Sequence, residues 1–284
     1  MPRWRSWSIR GDERLREEQN ALMRVGVIGA GRMGAPMVRR LAEAGHQVHA
    51  LGRTEEKRRA VAELGAAPVA DATEVADAAE AVVICLFTDE QVRAVLDTAL
   101  LAAMPAGAVL IVHTTGSPRT VEQLQELAPH LDVVDAPVSG GPHDIAAGQV
   151  TLFVGGPDDA VRRAQPVLTA YGSPVLHVGA LGAGQKVKLI NNTLFAAQIG
   201  LLAEAAQLAG SLGLPESALL GALPHGSGAS RALDNVARAG STAAFVAAVG
   251  EFIGKDVAVI RQTVAELGTD LGALNAVVDA GLGR

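Results

Sequence analysis

Val25-Gly26-Val27-Ile28-Gly29-Ala30-Gly31-Arg32-Met33-Gly34 is the stretch whose reading decides the fold. A short apolar run that stops at glycine reads as a buried parallel strand. Beyond it, Met33, Met37, Val38 and Leu41 recur at helical spacing until Gly45, a helix stop. A GxGxxG alone says little; between a strand and a helix it has a mechanism. Gly29 permits the tight turn, Gly31 lets backbone approach a pyrophosphate, and Gly34 lets the helix pack on the strand. The helix N-terminus then faces the phosphates. The other reading of the same residues is an ordinary glycine-rich turn.

Working outward, residues 47–51 read as a second strand and 55–64 as a second helix closed by Gly65. Residues 81–87, 108–113 and 131–136 read as strands separated by helical segments 89–104 and 118–127, with further strands at 150–154 and 175–178. Alternating strand and helix predicts a doubly wound parallel sheet of the Rossmann type. From Gly184 the pattern changes. Residues 185–212, 215–223, 230–239, 242–267 and 268–280 all read as helical, so an all-helical domain is expected to follow. The expected organisation is an N-terminal extension (1–22), a dinucleotide-binding domain (23–184) and a helical domain for substrate and oligomerisation (185–284).

Of the 284 residues, 49% are hydrophobic, 19% charged and only 3% aromatic, which predicts a folded protein whose core is built from Ala, Val and Leu. A net charge of -6 gives no reason to expect nucleic acid or a membrane surface as partner. No apolar stretch reaches the roughly 18 residues of a membrane span. Cys85, the only cysteine, excludes an internal disulfide and reads as a small buried hydrophobe. The histidines show no metal-binding spacing, so no metal is expected. The first 22 residues carry both tryptophans and five arginines but no apolar core of a secretory signal. They read as a flexible tail, an export-independent extension or a misassigned start, with Met23 as the alternative, and a cytoplasmic protein is expected.

Three further blocks carry chemistry. After the second strand comes Gly52-Arg53-Thr54, where an NAD enzyme would usually hold the ribose 2′-hydroxyl with a carboxylate. Arg53 there favours a 2′-phosphate, hence NADP(H) over NAD, although a solvated basic helix start would look the same. Asp135-Ala136-Pro137-Val138-Ser139-Gly140-Gly141 places successive N–H groups in a turn suited to a carboxylate, or makes a plain turn. In Gly182-Ala183-Gly184-Gln185-Lys186-Val187-Lys188-Leu189-Ile190-Asn191-Asn192, a helix from Gly184 puts Lys188 and Asn192 on one face, continued by Phe195 and Ile199. Apolar surroundings would move a lysine pKa toward neutrality, as a proton-transfer group requires. The alternative is a snorkelling surface lysine. Lys186 points elsewhere, toward solvent.

These blocks, in this order, resemble the β-hydroxyacid dehydrogenases, from about Met23 onward. The resemblance implies an NADP-dependent oxidoreductase moving a hydride between nicotinamide and a small carboxylated substrate, a 3-hydroxy acid or semialdehyde. It makes Lys188 the general acid/base and Asn192 its substrate-orienting partner, and assigns substrate binding to Ser139, Gly140, Gly141 and Lys255. It assigns the cofactor to Gly29, Ala30, Gly31, Arg32, Met33, Gly34, Arg53, Thr54, Leu86, Phe87, Thr115 and Lys255. Lys255-Asp256 is similar to the family's later Lys-Asp motif. A homodimer or homotetramer formed through the helical domain is implied as well. The chain departs from the family pattern at Phe87, usually proline, at Val112, usually acidic, and at Asp144, usually glycine. Imine reductases resemble this pattern but usually lack the lysine at position 188; a phosphogluconate-type dehydrogenase would be longer. A non-catalytic NADP-binding protein is the alternative from another class.

Overall fold

A computed structural model describes residues 21–283; the expected tail of residues 1–22 lies, up to residue 20, outside the described residues. The chain forms two compact units, the first ending at Lys188 and the second beginning at Leu189.

The first unit is built on one mixed sheet. Its strands are β1 (Arg24–Ile28), β2 (Gln47–Leu51), β3 (Ala67–Val69), β4 (Ala81–Ile84), β5 (Val109–Val112), β6 (Asp132–Asp135), β7 (Val138–Ser139), β8 (Val150–Gly155) and β9 (Gly172–Gly179). The order is β3-β2-β1-β4-β5-β6-β8-β7, with β9 paired to β8. From β3 through β6 every pairing is parallel, whereas β8 runs antiparallel to β6 and β7 and parallel to β9. Alternation along each strand feeds two cores. Val25, Val27, Val83, Ile111 and Val134 pack with helix Gly34–Glu43 and helix Asp158–Thr169 on one face. Ile28, Val82, Ile84, Leu110 and Val133 pack on the other with helices Asp89–Val95, Thr98–Ala103 and Pro118–Leu127. A strand buried on both faces needs apolar residues at every position, and VLIV and AVVI supply them.

Several elements differ in detail from the sequence reading. The helix expected over 89–104 is two helices. Leu96 leaves helical geometry at φ -88, ψ 61, and the Asp97 side chain caps the next helix by accepting from the Leu100 N–H at 2.9 Å. Beyond β4, Cys85 N–H still donates to the Ile28 carbonyl at 2.9 Å, but the following amides turn to side-chain acceptors and end the strand. Leu86 N–H donates to Thr114 Oγ1 and Phe87 N–H to Gln91 Oε1, both at 2.9 Å. Residues 268–273 are not helical, since Gly268 and Gly272 take positive φ, and the last helix is Leu274–Gly281.

Helices Ala183–Ser211, Glu216–Ala222, Arg231–Ala239, Thr242–Glu266 and Leu274–Gly281 follow, the first crossing the division between the units. The second unit's core joins Ala196, Ile199, Leu202, Leu220, Leu233, Val236, Ile253, Val257 and Val278. Here backbone meets backbone: a Cβ at Gly200 would lie 1.8 Å from the Val277 carbonyl oxygen, and one at Gly281 2.1 Å from that of Ala196. No described helix is long and apolar enough to cross a membrane.

Candidate active site

The strand order reverses between β1 and β4, and the residues assigned to the cofactor follow the C-terminal ends of β1, β2, β4 and β5, except Lys255, which lies on helix Thr242–Glu266. In open α/β sheets this crevice is where ligands bind. The turn from Gly29 to Gly34 behaves as its spacing requires. Gly29 has φ +107, and a Cβ there would lie 2.1 Å from the Cys85 carbonyl oxygen; a Cβ at Gly34 would lie 1.9 Å from the Gly29 carbonyl. A Cβ at Gly31 would meet nothing within 4 Å, so that surface is open to a ligand. Gly31 and Arg32 are exposed, Ala30 and Met33 half-buried. No side chain caps helix Gly34–Glu43. In its first turn Ala35 N–H returns to the Gly31 carbonyl at 2.8 Å and Pro36 has no N–H, so a pyrophosphate would be met by the backbone of the turn that leads into Gly34. The turn therefore fits a dinucleotide.

At the end of β2, Thr54 Oγ1 accepts from Lys57 N–H at 3.2 Å and caps helix Glu55–Glu63. Arg58 is committed locally, donating to the Gly52 carbonyl at 3.0 Å and pairing with Glu55 at 3.5 Å. Arg53 is exposed and pairs with no carboxylate among the described residues. Leu86 lies against the Gly29 turn, its Cδ2 3.2 Å from a Cβ position on Gly29; Phe87 is exposed and Thr115 half-buried in the neighbouring loops. Cys85 is inert as a nucleophile, its thiol pushed up to about 12 by burial.

A buried knot beyond β5 and β6 positions the helix that carries Lys188. Asp135 accepts from Gly182 N–H through Oδ1 and from Gln185 N–H through Oδ2, both at 2.7 Å. Gln185 in turn donates from Nε2 to the Thr114 carbonyl at 2.8 Å and accepts from Gly116 N–H at 3.0 Å. Burial pushes the Asp135 carboxyl up, and the two N–H donors oppose that shift. A carboxylate on a helix N-terminus satisfies orphan donors and complements the dipole. Glycine is needed beside it, because a Cβ at Gly184 would lie 2.3 Å from the Phe153 carbonyl oxygen and 2.8 Å from Asp135 Oδ2. Behind the knot, neutral His113 bridges the Ala136 carbonyl at 2.5 Å and the Tyr171 hydroxyl at 2.7 Å. Asp135 and Gln185 stand inside the quoted motifs, but their pairing spans 50 residues and no spacing rule finds it.

Lys188 follows one turn into the helix and is buried, with a relative exposure of 9%, while Lys186 is exposed. One turn further, Asn192 donates to Asp256 Oδ2 and accepts from Asn191 Nδ2 at 3.0 Å. The Lys255 ammonium lies 2.7 Å from Asp256 Oδ1 as an ion pair outside hydrogen-bond angles. The second unit thus brings Asn192 and Lys255 together on one carboxylate. Asp256, read in the sequence only as part of a Lys-Asp motif, is the group that joins them.

Ser139 ends β7, Gly140 has φ +143, and Gly141 precedes the short helix Pro142–Ala146. Gly141 N–H donates to the chain's own Asp144 Oδ2 at 2.6 Å. Among the described residues no group of His, Cys, Asp and Glu is arranged to hold a metal ion.

A glycine turn at the switch point of a doubly wound sheet, followed by an all-helical unit, defines the class of NAD(P)-binding oxidoreductases. Residues 24–179 match the family model described as the NAD-binding domain of 6-phosphogluconate dehydrogenase. Residues 182–280 match that described as NAD-binding of NADP-dependent 3-hydroxyisobutyrate dehydrogenase. The chain belongs to the β-hydroxyacid dehydrogenase family. It is 33% identical over 216 residues to 2-(hydroxymethyl)glutarate dehydrogenase of Eubacterium barkeri, covering 75% of this chain and 72% of that protein. It is 36% identical over 206 residues to a probable 3-hydroxyisobutyrate dehydrogenase of Mycobacterium tuberculosis, covering 72% and 70%. Among solved structures, the Mycobacterium tuberculosis 3-hydroxyisobutyrate dehydrogenase with L-serine aligns with a TM-score of 0.82 at 31% identity, over 91% of this chain and 92% of that one.

Proposed function

We propose that the chain is an NADP(H)-preferring dehydrogenase that interconverts a small 3-hydroxy acid and its semialdehyde, with Lys188 as general acid/base. The observation that carries this reading is buried Lys188 on a helix whose first turn is held by Asp135 and Gln185. When bound, the nicotinamide supplies or accepts the hydride. In the reductive direction Lys188 donates a proton to the carbonyl oxygen as negative charge develops there; in the oxidative direction it takes the hydroxyl proton. Asn192, held by Asp256, orients the substrate oxygen, and Lys255 serves both substrate and cofactor. The Ser139–Gly141 turn holds the other end of the substrate, an orientation effect that removes entropy from the barrier.

The turn from Gly29 to Gly34 would hold the pyrophosphate through its backbone N–H groups at the helix start. Arg53, with Thr54 beside it, would take the 2′-phosphate in the bidentate manner open to a guanidinium. Leu86, Phe87 and Thr115 would line the cofactor on the sheet side, with NAD as the weaker alternative. A homodimer or homotetramer formed through the helical unit is supported by Ile190, Leu194, Leu201 and Leu208. They are exposed by 55%, 47%, 55% and 62% along one side of helix Ala183–Ser211.

The test is oxidation of NADPH, with NADH in parallel, against glyoxylate, succinic, methylmalonate and tartronate semialdehydes and one cyclic imine. Lys188→Ala is expected to lower kcat by at least about a hundredfold, the low end for losing an acid–base group, while NADPH still binds. Near-normal turnover in that variant removes Lys188 from its role. Tight NADPH binding with turnover of the imine alone replaces the proposal with an imine reductase.

A further inference from the structure

The Ser139–Gly141 turn resembles an anion cradle by sequence, yet a carboxylate of the chain already occupies it. Gly141 N–H donates to Asp144 Oδ2 at 2.6 Å. The next residue, Pro142, has no N–H to offer. The N–H groups of Asp144 and Ile145 both return to the Gly141 carbonyl, at 3.1 and 3.2 Å. The same Asp144 oxygen lies 2.7 Å from the point a Cβ on Gly140 would occupy, so the carboxylate covers two residues of the turn. Its other oxygen lies 3.3 Å from His143 Nε2, an exposed imidazole. A concavity built of N–H groups binds an anion because their partial positive charges converge. Here an anion belonging to the chain sits in that position, and a second one would meet its charge.

We propose that Asp144 sets the specificity of this turn: it excludes a carboxylate and accepts a hydrogen-bond donor, a hydroxyl or ammonium, from the substrate. The inference rests on the reading above, in which the turn faces substrate. It adds that the group held there is not the acid. The Ser139 hydroxyl and the Asp144 carboxylate together suit a donor, since each can accept from it. Asp144 is a specificity residue and takes no proton from the reacting carbon or oxygen.

Steady-state kinetics with NADPH test this on wild type, Asp144→Gly and Asp144→Asn, using succinic semialdehyde and the matching aldehyde in which an amide replaces the carboxylate. Losing a charge-assisted contact of this kind corresponds to at least about a tenfold change in affinity. Asp144→Gly is expected to lower KM for succinic semialdehyde by that factor, exceeding any change in kcat, without lowering KM for the amide. Asp144→Asn keeps an acceptor for Gly141 N–H and gives a smaller fall of the same kind. An unchanged or higher KM for the carboxylate in both variants overturns the inference. If wild type turns over neither aldehyde, calorimetric titration of succinate into the NADPH-loaded proteins decides about Asp144, while the proposed function is judged separately on its full substrate panel. Succinate binding gained in Asp144→Gly supports the role of Asp144, and its absence in both variants refutes it.

Discussion

His113 should make the stability of this protein fall steeply between mildly acidic and acidic pH. Its ring is buried at 2% exposure, with Nδ1 2.5 Å from the Ala136 carbonyl and Nε2 2.7 Å from the Tyr171 hydroxyl. A carbonyl only accepts, so Nδ1 carries the single proton and Nε2 accepts from tyrosine. A second proton would create an imidazolium cut off from water, and burial accordingly holds the pKa down, from 6.5 to about 4. The unfolded chain therefore binds a proton between these values that the folded chain does not. Stability from this group is fully present above pH 6.5 and is lost as pH falls toward 4. A shift of about 2.5 units at 1.36 kcal/mol per unit makes this about 3 kcal/mol. Urea unfolding of the first unit's signal at intervals from pH 7.5 to 4 measures it, compared with His113→Gln, which lacks the titration. Wild type should lose about 3 kcal/mol more than the variant over that range. Parallel pH profiles of the two proteins would refute the assignment. Because Ala136 follows Asp135 directly, the same acidification should loosen the anchor of the Lys188 helix.

Replacing Arg53 with Gln removes the charge proposed for the 2′-phosphate; NADPH should bind about tenfold or more weakly by fluorescence titration, with NADH little affected. Equal losses for both cofactors would show that Arg53 does not read the phosphate. Asp135→Ala strands two buried N–H groups, at Gly182 and Gln185, costing roughly 1–3 kcal/mol each. It should lower thermal stability and kcat together while NADPH binding changes little, since the Gly29–Gly34 turn does not depend on it. A normal kcat in the folded variant would separate the anchor from catalysis.

The alternation of strand and helix, the position of the glycine turn, and the change to a helical unit after the sheet were all legible in the sequence. Each depends on local rules: apolar runs for strands buried on both faces, period 3.6 for helices, glycine where backbone must pass backbone. Helix Pro118–Leu127 and strand Gln47–Leu51 fall on the residues that these rules predict. The short elements were not legible. Strand Ala67–Val69 and helix Ala72–Ala76 are too brief to show a period, and β8 runs antiparallel to β6 because of a contact that spacing does not encode.

The site divides the same way. Sequence alone placed Gly29, Gly31 and Gly34 at the start of a helix and put Lys188 and Asn192 on one helical face, because neighbours in the chain determine these relations. Only the tertiary structure decided what those groups meet. Asp135 takes the N–H groups of Gly182 and Gln185, Asp256 takes the amide of Asn192, and Asp144 turns back onto Gly141 in a loop that reads as an open anion cradle. A carboxylate's partner depends on which donor the folded backbone leaves unsatisfied beside it, and that is settled when distant segments pack.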